Sequence, residues 1–149
     1  MQENPKVCVD TSVLIAAVLS PSGGSFYILT TLFPQFDFFI NDYILEESLE
    51  VLQEKFSTSP KLKSTLFLLL GLARITIMPP PSLQEVYDIQ EMINKKDAPI
   101  LASALKYGAW LLTLDEDFLQ ETVCTFAKQQ GLEILKPKDF ILSWRATQK

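Results

Sequence analysis

The chain has 149 residues, 48% of them hydrophobic, a formal net charge of −5 and no histidine. That length suits one domain, residues 1–149, and the apolar content excludes a disordered chain. The missing imidazole excludes Ser-His-Asp and Cys-His catalysis, histidine acid–base ribonuclease chemistry and zinc sites built on histidine, so chemistry has to rest on carboxylates, lysines and hydroxyls.

Lys6-Val7-Cys8-Val9 reads as a short buried strand ending in Asp10-Thr11-Ser12, with a helix over Val13 to Leu19 behind it. Pro21-Ser22-Gly23-Gly24 is a turn, and Ser25 is set to cap a helix from Phe26 to Leu32. A second strand follows over Phe36 to Ile40. Asn41 or Asp42 caps a helix from Tyr43 to Phe56, whose core stripe is Leu45, Leu49, Leu52 and Phe56. Ser57 to Pro60 breaks it, and a long helix runs from Lys61 to Ala73. Its apolar run, residues 65–73, is less than half the roughly 20 residues of a membrane span, so it reads as a buried or interface helix and not a membrane one. Ile75 to Met78 is a strand, stopped by three prolines. Ser82 and Glu85 form a capping box for a helix from Leu83 to Ile93. Asp97 to Tyr107 is a helix closed by Gly108, Trp110 to Thr113 a strand, and Leu114-Asp115-Glu116-Asp117 its exit loop. A helix near Thr125 to Gln130, a strand over Glu133 to Leu135 and a helix from Pro137 complete the chain.

Short apolar strands separated by helices, with no hairpin signal, predict an α/β fold: a mainly parallel sheet flanked by helices in three layers. Met1 to Lys6 has no basic stretch leading into an apolar run, and Cys8 and Cys124 have no metal-type spacing. A reduced, cytoplasmic protein without a secretory signal is expected. The aromatics Phe26, Phe33, Phe38, Phe39 and Phe67 are expected in the core.

Ligands in open α/β sheets gather at the carboxyl ends of strands. Asp10, Asp42 and Asp115 sit at such ends. Each carboxylate also has a plainer reading. Asp10 and Asp97 are good helix N-caps, Asp97 especially with Pro99 in the first turn. Asp115 or Asp117 could cap Phe118-Leu119. Glu47 lies in a helical row with Ile44 and Val51, so it needs a partner or a metal, unless it is a border glutamate paired with a lysine. Lys95 and Lys96 are a solvated pair or phosphate contacts. Taken together, four or five carboxylates at element ends repel one another without a cation. Mg²⁺ or Mn²⁺ favours such an oxygen-only shell, and its waters suit in-line attack on a phosphodiester. The net charge disfavours nonspecific nucleic-acid binding, but not an enzyme that meets nucleic acid through metal ions.

Four segments carry a family likeness: Val7-Cys8-Val9-Asp10-Thr11-Ser12-Val13-Leu14, Ile44-Leu45-Glu46-Glu47-Ser48-Leu49-Glu50-Val51-Leu52, Asp97-Ala98-Pro99-Ile100-Leu101-Ala102-Ser103-Ala104-Leu105, and Leu111-Leu112-Thr113-Leu114-Asp115-Glu116-Asp117-Phe118-Leu119. With the Pro21-Ser22-Gly23-Gly24 turn and the order of elements, the chain resembles the PIN-domain family over nearly its whole length, and within it the VapC-type toxins. The resemblance implies Mg²⁺- or Mn²⁺-dependent endoribonuclease activity, an RNA substrate, a cognate antitoxin and a homodimer, with no membrane. By position it implies Asp10, Asp97 and Asp115 as metal ligands and Glu47 as the catalytic glutamate, with Glu46 the competing register. Ser12, Thr113 and Asp117 match supporting positions. Where the family often has glycine between Thr113 and Asp115, this chain has Leu114.

Two other readings stand beside this one. A PIN scaffold could serve protein binding, with Leu66 to Leu72 as the contact surface. A phospho-aspartate receiver or phosphatase fits less well, because Asp10 lacks a second aspartate nearby on its strand.

Overall fold

The structure is a computed structural model that describes residues 3–148; Met1, Gln2 and Lys149 lie outside the described residues, so the N-terminal reading is met only from Glu3 onward. Five strands, β1 (Lys6–Val9), β2 (Asp37–Asn41), β3 (Thr76–Met78), β4 (Trp110–Leu112) and β5 (Glu133–Leu135), form one sheet in the order β3-β2-β1-β4-β5. All four pairings are parallel. Eight helices alternate with them: α1 (Thr11–Leu19), α2 (Gly24–Thr31), α3 (Asp42–Lys55), α4 (Lys61–Leu72), α5 (Leu83–Tyr87), α6 (Ala98–Tyr107), α7 (Glu121–Gln129) and α8 (Pro137–Thr147).

The strands are short because each needs to cross only one core. Val7, Cys8 and Val9 are buried, as are Phe38, Phe39 and Ile40 on β2 and Leu111 and Leu112 on β4. A strand covered on both faces is apolar at every position, which is why these lack alternation. Each fully buried Phe, Leu or Ile contributes about 1.5–3 kcal/mol relative to exposure. The strand order reverses at β1: β2 lies on one side and β4 on the other. Right-handed crossovers then set α1 to α4 on one face and α5 to α7 on the other. α8 returns to pack against α2 and β5. Val9 pairs with Leu112, so β1 and β4 end level and Asp10 and Thr113 emerge side by side at the switch point.

Four sequence expectations shift. On α3 the buried row is Ile44, Ser48 and Leu52; Leu45, Leu49 and Phe56 are half-buried flanks. Ser48 fits the core because its hydroxyl donates to the Ile44 carbonyl at 2.7 Å. The helix expected from Leu83 to Ile93 ends at Tyr87. Beyond it the chain tightens into i→i−3 turns, Ile89 N–H to Val86 O and Met92 N–H to Ile89 O. Ile89 and Ile93 still reach the core, so their four-residue spacing imitates a helix. Ser25 does not cap α2. Gly23 is the N-cap residue, without a side-chain bond, and Ser25 lies buried inside the helix. Finally, Phe67 is exposed beside Leu68 and Leu72 on α4, whereas Phe38 and Phe39 are core residues. No single helix among the described residues is long and apolar enough to cross a membrane.

Gly131 closes α7 with φ 86°, a left-handed conformation that costs an L-residue about 1–2 kcal/mol. An added Cβ meets nothing within 4 Å there, so conformation alone acts. Gly131→Ala is expected to lower stability by about 1–2 kcal/mol. Gly71→Ala, in the exposed last turn of α4, is expected to raise it by about 0.5 kcal/mol. Urea midpoints for the two variants check both signs.

Candidate metal centre

Asp10 leaves β1 buried, with 3% exposure, and is held on both oxygens. Its Oδ1 accepts the Thr11 amide at 2.8 Å, which is the cap of α1. Its Oδ2 accepts the Ser12 hydroxyl at 2.7 Å and the Thr113 hydroxyl at 2.8 Å. Those hydroxyls each accept in turn from the β4 exit loop: Thr113 Oγ1 from the Asp115 amide and Ser12 Oγ from the Leu114 amide, both at 3.0 Å. Two short side chains thus staple the loop to the carboxylate. Leu114 sits in this loop without strain, since Arg74 is the one non-glycine residue with positive φ among the described residues. The glycine common in the family is therefore not needed here.

Asp97 precedes α6 but does not cap it. Its side chain makes no cap bond, and its own amide donates to Asn94 Oδ1 at 3.1 Å. The capping duty expected of Asp97 passes to Asn94, so the carboxylate makes no cap bond to α6. Asn94 Nδ2 also donates to Asp117 Oδ2 at 2.9 Å, and the Asp117 amide donates to Asp115 Oδ1 at 2.9 Å. Each of Asp97, Asp115 and Asp117 offers one oxygen, and the three lie within 4.8 Å of one another.

Glu47 reaches the same crevice from α3. Its Oε1 accepts the Thr11 hydroxyl, and its Oε2 lies 4.0 Å from Lys96 Nζ. Glu46 is exposed and does not line this crevice, whereas Glu47 does. Asn41 ties the two helices together. Its Oδ1 accepts the Ile44 amide at the start of α3, and its Nδ2 donates to Ser103 Oγ of α6 at 2.7 Å. Tyr43 donates to the Lys96 carbonyl at 2.7 Å, fixing the segment before Asp97.

The resulting crevice, about 380 Å³, gathers Asp10, Ser12, Glu47, Asp97, Asp115 and Asp117. Thr113 lies beneath them, fully buried. Asp42 is not among the crevice residues; it is exposed and accepts the adjacent Tyr43 amide. Lys96 borders the crevice and Lys95 does not. Sequence reasoning missed the site roles of Thr11, Asn94 and Tyr43, and it named Asn41 only as the cap of α3, which it is. For Asn94 a signal existed, because an Asn three residues before Asp97 can take its amide.

Burial pushes the Asp10 carboxyl above its ordinary range, while its three hydrogen bonds pull it back and Asp115 adds a further push. Asp97 is raised to about 6, first by burial and then by Asp115, Asp10 and Asp117, with the Asn94 bond opposing. Such a set is unfavourable without a cation. The donors are all hard oxygens, which fits Mg²⁺ or Mn²⁺.

The PIN domain family model matches residues 7–121. The chain belongs to the PIN domain family. Two solved structures share its architecture. PAE2754 from Pyrobaculum aerophilum is 18% identical with a TM-score of 0.68, the alignment covering 97% of this chain and 99% of that one. VapBC2 from Rickettsia felis, solved bound to a DNA fragment from their promoter, is 19% identical with a TM-score of 0.60, covering 88% and 98%. No curated protein matches the sequence. The match includes all four carboxylate-bearing segments of this PIN domain, and α8 lies beyond it.

Asp97 gives a stability test. Its folded pKa of about 6 exceeds the ordinary 3.8, so the folded state holds a proton that the unfolded state has released across that window. Stability therefore falls as pH rises through it. In EDTA, Asp97→Asn is expected to raise Tm at pH 7, with the gain shrinking toward pH 4, as followed by thermal melts. A lower Tm at pH 7 would contradict the repulsion argument.

Proposed function

We propose that this PIN protein is an Mg²⁺- or Mn²⁺-dependent endoribonuclease of the cytoplasm and the toxin of a type II toxin–antitoxin pair. The observation that carries the reading is the trio Asp97, Asp115 and Asp117, with oxygens within 4.8 Å, open to a crevice shared with Asp10 and Glu47. The likeness to VapBC2 from Rickettsia felis supports the toxin half.

Asp10, Asp97 and Asp115 would hold the metal, with Asp117 beside them. A divalent ion held there would supply Lewis-acid polarisation of a phosphate oxygen and a more acidic water, and the cleavage expected leaves a 5′-phosphate and a 3′-hydroxyl. The chain's own residues do the rest. Ser12 and Thr113 hold Asp10 still, so that its remaining lone pairs keep one direction. Thr11 does the same for Glu47, which faces Lys96 across the crevice and can take the proton of the attacking water. Asn94 orients Asp117 and frees Asp97. Phe67, Leu68 and Leu72, exposed together on α4, support a homodimer or antitoxin contact on that face.

Purified protein is expected to cleave single-stranded RNA with Mn²⁺ or Mg²⁺ and not in EDTA. Asp10→Asn and Asp97→Asn should each lose about a hundredfold or more, together with the metal-induced rise in Tm. Glu47→Gln should lose about 10²–10⁴-fold in rate while keeping that rise. Below pH 6, protonation of Asp97 should weaken metal binding by up to about tenfold per pH unit. Unchanged cleavage in Asp10→Asn and Asp97→Asn would sink the assignment.

A further inference from the structure

The β4 exit loop divides two depressions. Asp115 faces the acidic crevice, whereas Leu114 lines a second groove of about 570 Å³. The second groove is charged in the opposite sense. Lys136, Lys138 and Arg145 line it, and among the described residues no carboxylate does. Lys136 pairs with exposed Glu116 at 3.2 Å, a contact that is weak in water and easily exchanged. In a chain of net charge −5, a wall with three cations and no acid is a local reversal.

Two helices begin on this wall. α2 starts behind Gly23 and α8 behind Lys136, and neither has a side-chain cap. The first-turn amides of α2 have no intrahelical acceptor and no acidic residue beside them, so its dipole sets partial positive charge at the groove, whereas Asp139 offsets that of α8. Gly23 and Gly24 bring no side chains of their own to the α2 end, and Ser20, Pro137 and Ile141 pack beside them. Ser25 is an independent mark. It is 6% exposed, borders the groove, and its hydroxyl has no hydrogen-bond partner among the described residues. The hydroxyl keeps some contact with solvent, so it is available to a group bound in the groove. The floor between these groups is apolar, made by Leu114, Pro137 and Ile141.

We propose that this groove binds phosphates of the RNA strand that enters the metal centre, with Lys138 and Arg145 as counter-charges and Ser25 with the α2 amides as hydrogen-bond donors. The proposal rests on the endoribonuclease reading. A polyanion approaching a carboxylate cluster on an acidic protein needs positive charge close by, and this groove adjoins the cluster across one residue of backbone. The apolar floor takes a ribose or base face between two held phosphates. A nucleic-acid strand fits this alternation better than an acidic peptide, whose charges stand on flexible side chains.

The test is binding of fluorescently labelled oligouridylate in EDTA, where no cleavage occurs, read by anisotropy at several salt concentrations. Lys138→Ala/Arg145→Ala should bind about tenfold or more weakly, and its salt slope should fall by about 0.7 for each cation lost. Ser25→Ala should weaken binding with the slope unchanged. Lys63→Ala/Lys128→Ala, which removes two exposed cations elsewhere, should behave as wild type. The proposal is overturned if the wild type does not bind, if Lys138→Ala/Arg145→Ala keeps wild-type affinity and slope, or if oligoglutamate displaces the RNA as readily as unlabelled RNA does. Cleavage is read separately with Mn²⁺. Groove-dependent binding without any cleavage supports the groove and removes the nuclease reading. Cleavage with an unchanged KM in Lys138→Ala/Arg145→Ala removes the groove and leaves that reading intact.

Discussion

The site depends on two hydroxyls sharing one carboxylate oxygen. Ser12 and Thr113 both donate to Asp10 Oδ2, and each accepts from the β4 exit loop. One arm starts in α1 and the other in the extension of β4, so the bonds join chain segments about a hundred residues apart. Hydrogen bonds to an ionised acceptor are among the stronger kinds, and here they also fix the loop that carries Asp115 and Asp117. The parallel register of β1 with β4 makes this possible, because Val9 and Leu112 end level. A shift of one residue would turn Asp10 or Thr113 to the opposite face of the sheet.

A second constraint is the release of Asp97 from capping. An aspartate before a helix with proline in its first turn normally spends its carboxylate on the helix's own amides. Here Asn94 accepts the Asp97 amide and also donates to Asp117. One amide side chain therefore frees one acid and holds another. The i→i−3 turns after α5 bring Asn94 to that place, so the shortening of α5 is part of the site's construction. The cost of the arrangement is visible in Asp97, raised to about 6 by burial and its acidic neighbours.

Charge is distributed in blocks and not evenly. The acids collect in one depression, and Lys136, Lys138 and Arg145 in the next, with Leu114 and Asp115 as the dividing residues. Net charge averages over this pattern and hides it. The overall −5 disfavours nonspecific nucleic-acid binding, yet fields near a surface are set by groups within about a Debye length, roughly 10 Å at moderate salt.

Much was legible before any coordinates. Apolar strand runs, proline and glycine stops and the order of elements determined an α/β fold with a parallel sheet, because burial on both faces leaves no room for alternation. Absent histidine and acids at strand ends pointed to a carboxylate cluster, and motif register preferred Glu47 to Glu46. What tertiary structure decided was the use of each group. Whether Asp97 caps or stays free depends on Asn94, reached through turns that hydrophobic spacing cannot tell from a helix. Whether Leu45 or Ser48 is in the core depends on how α3 lies against its neighbours, a rotation that periodicity leaves open by one row. The cationic groove is built from α2, α8 and the β4 exit loop, segments far apart in the chain. Charges brought together only by folding leave no cluster in the sequence to read.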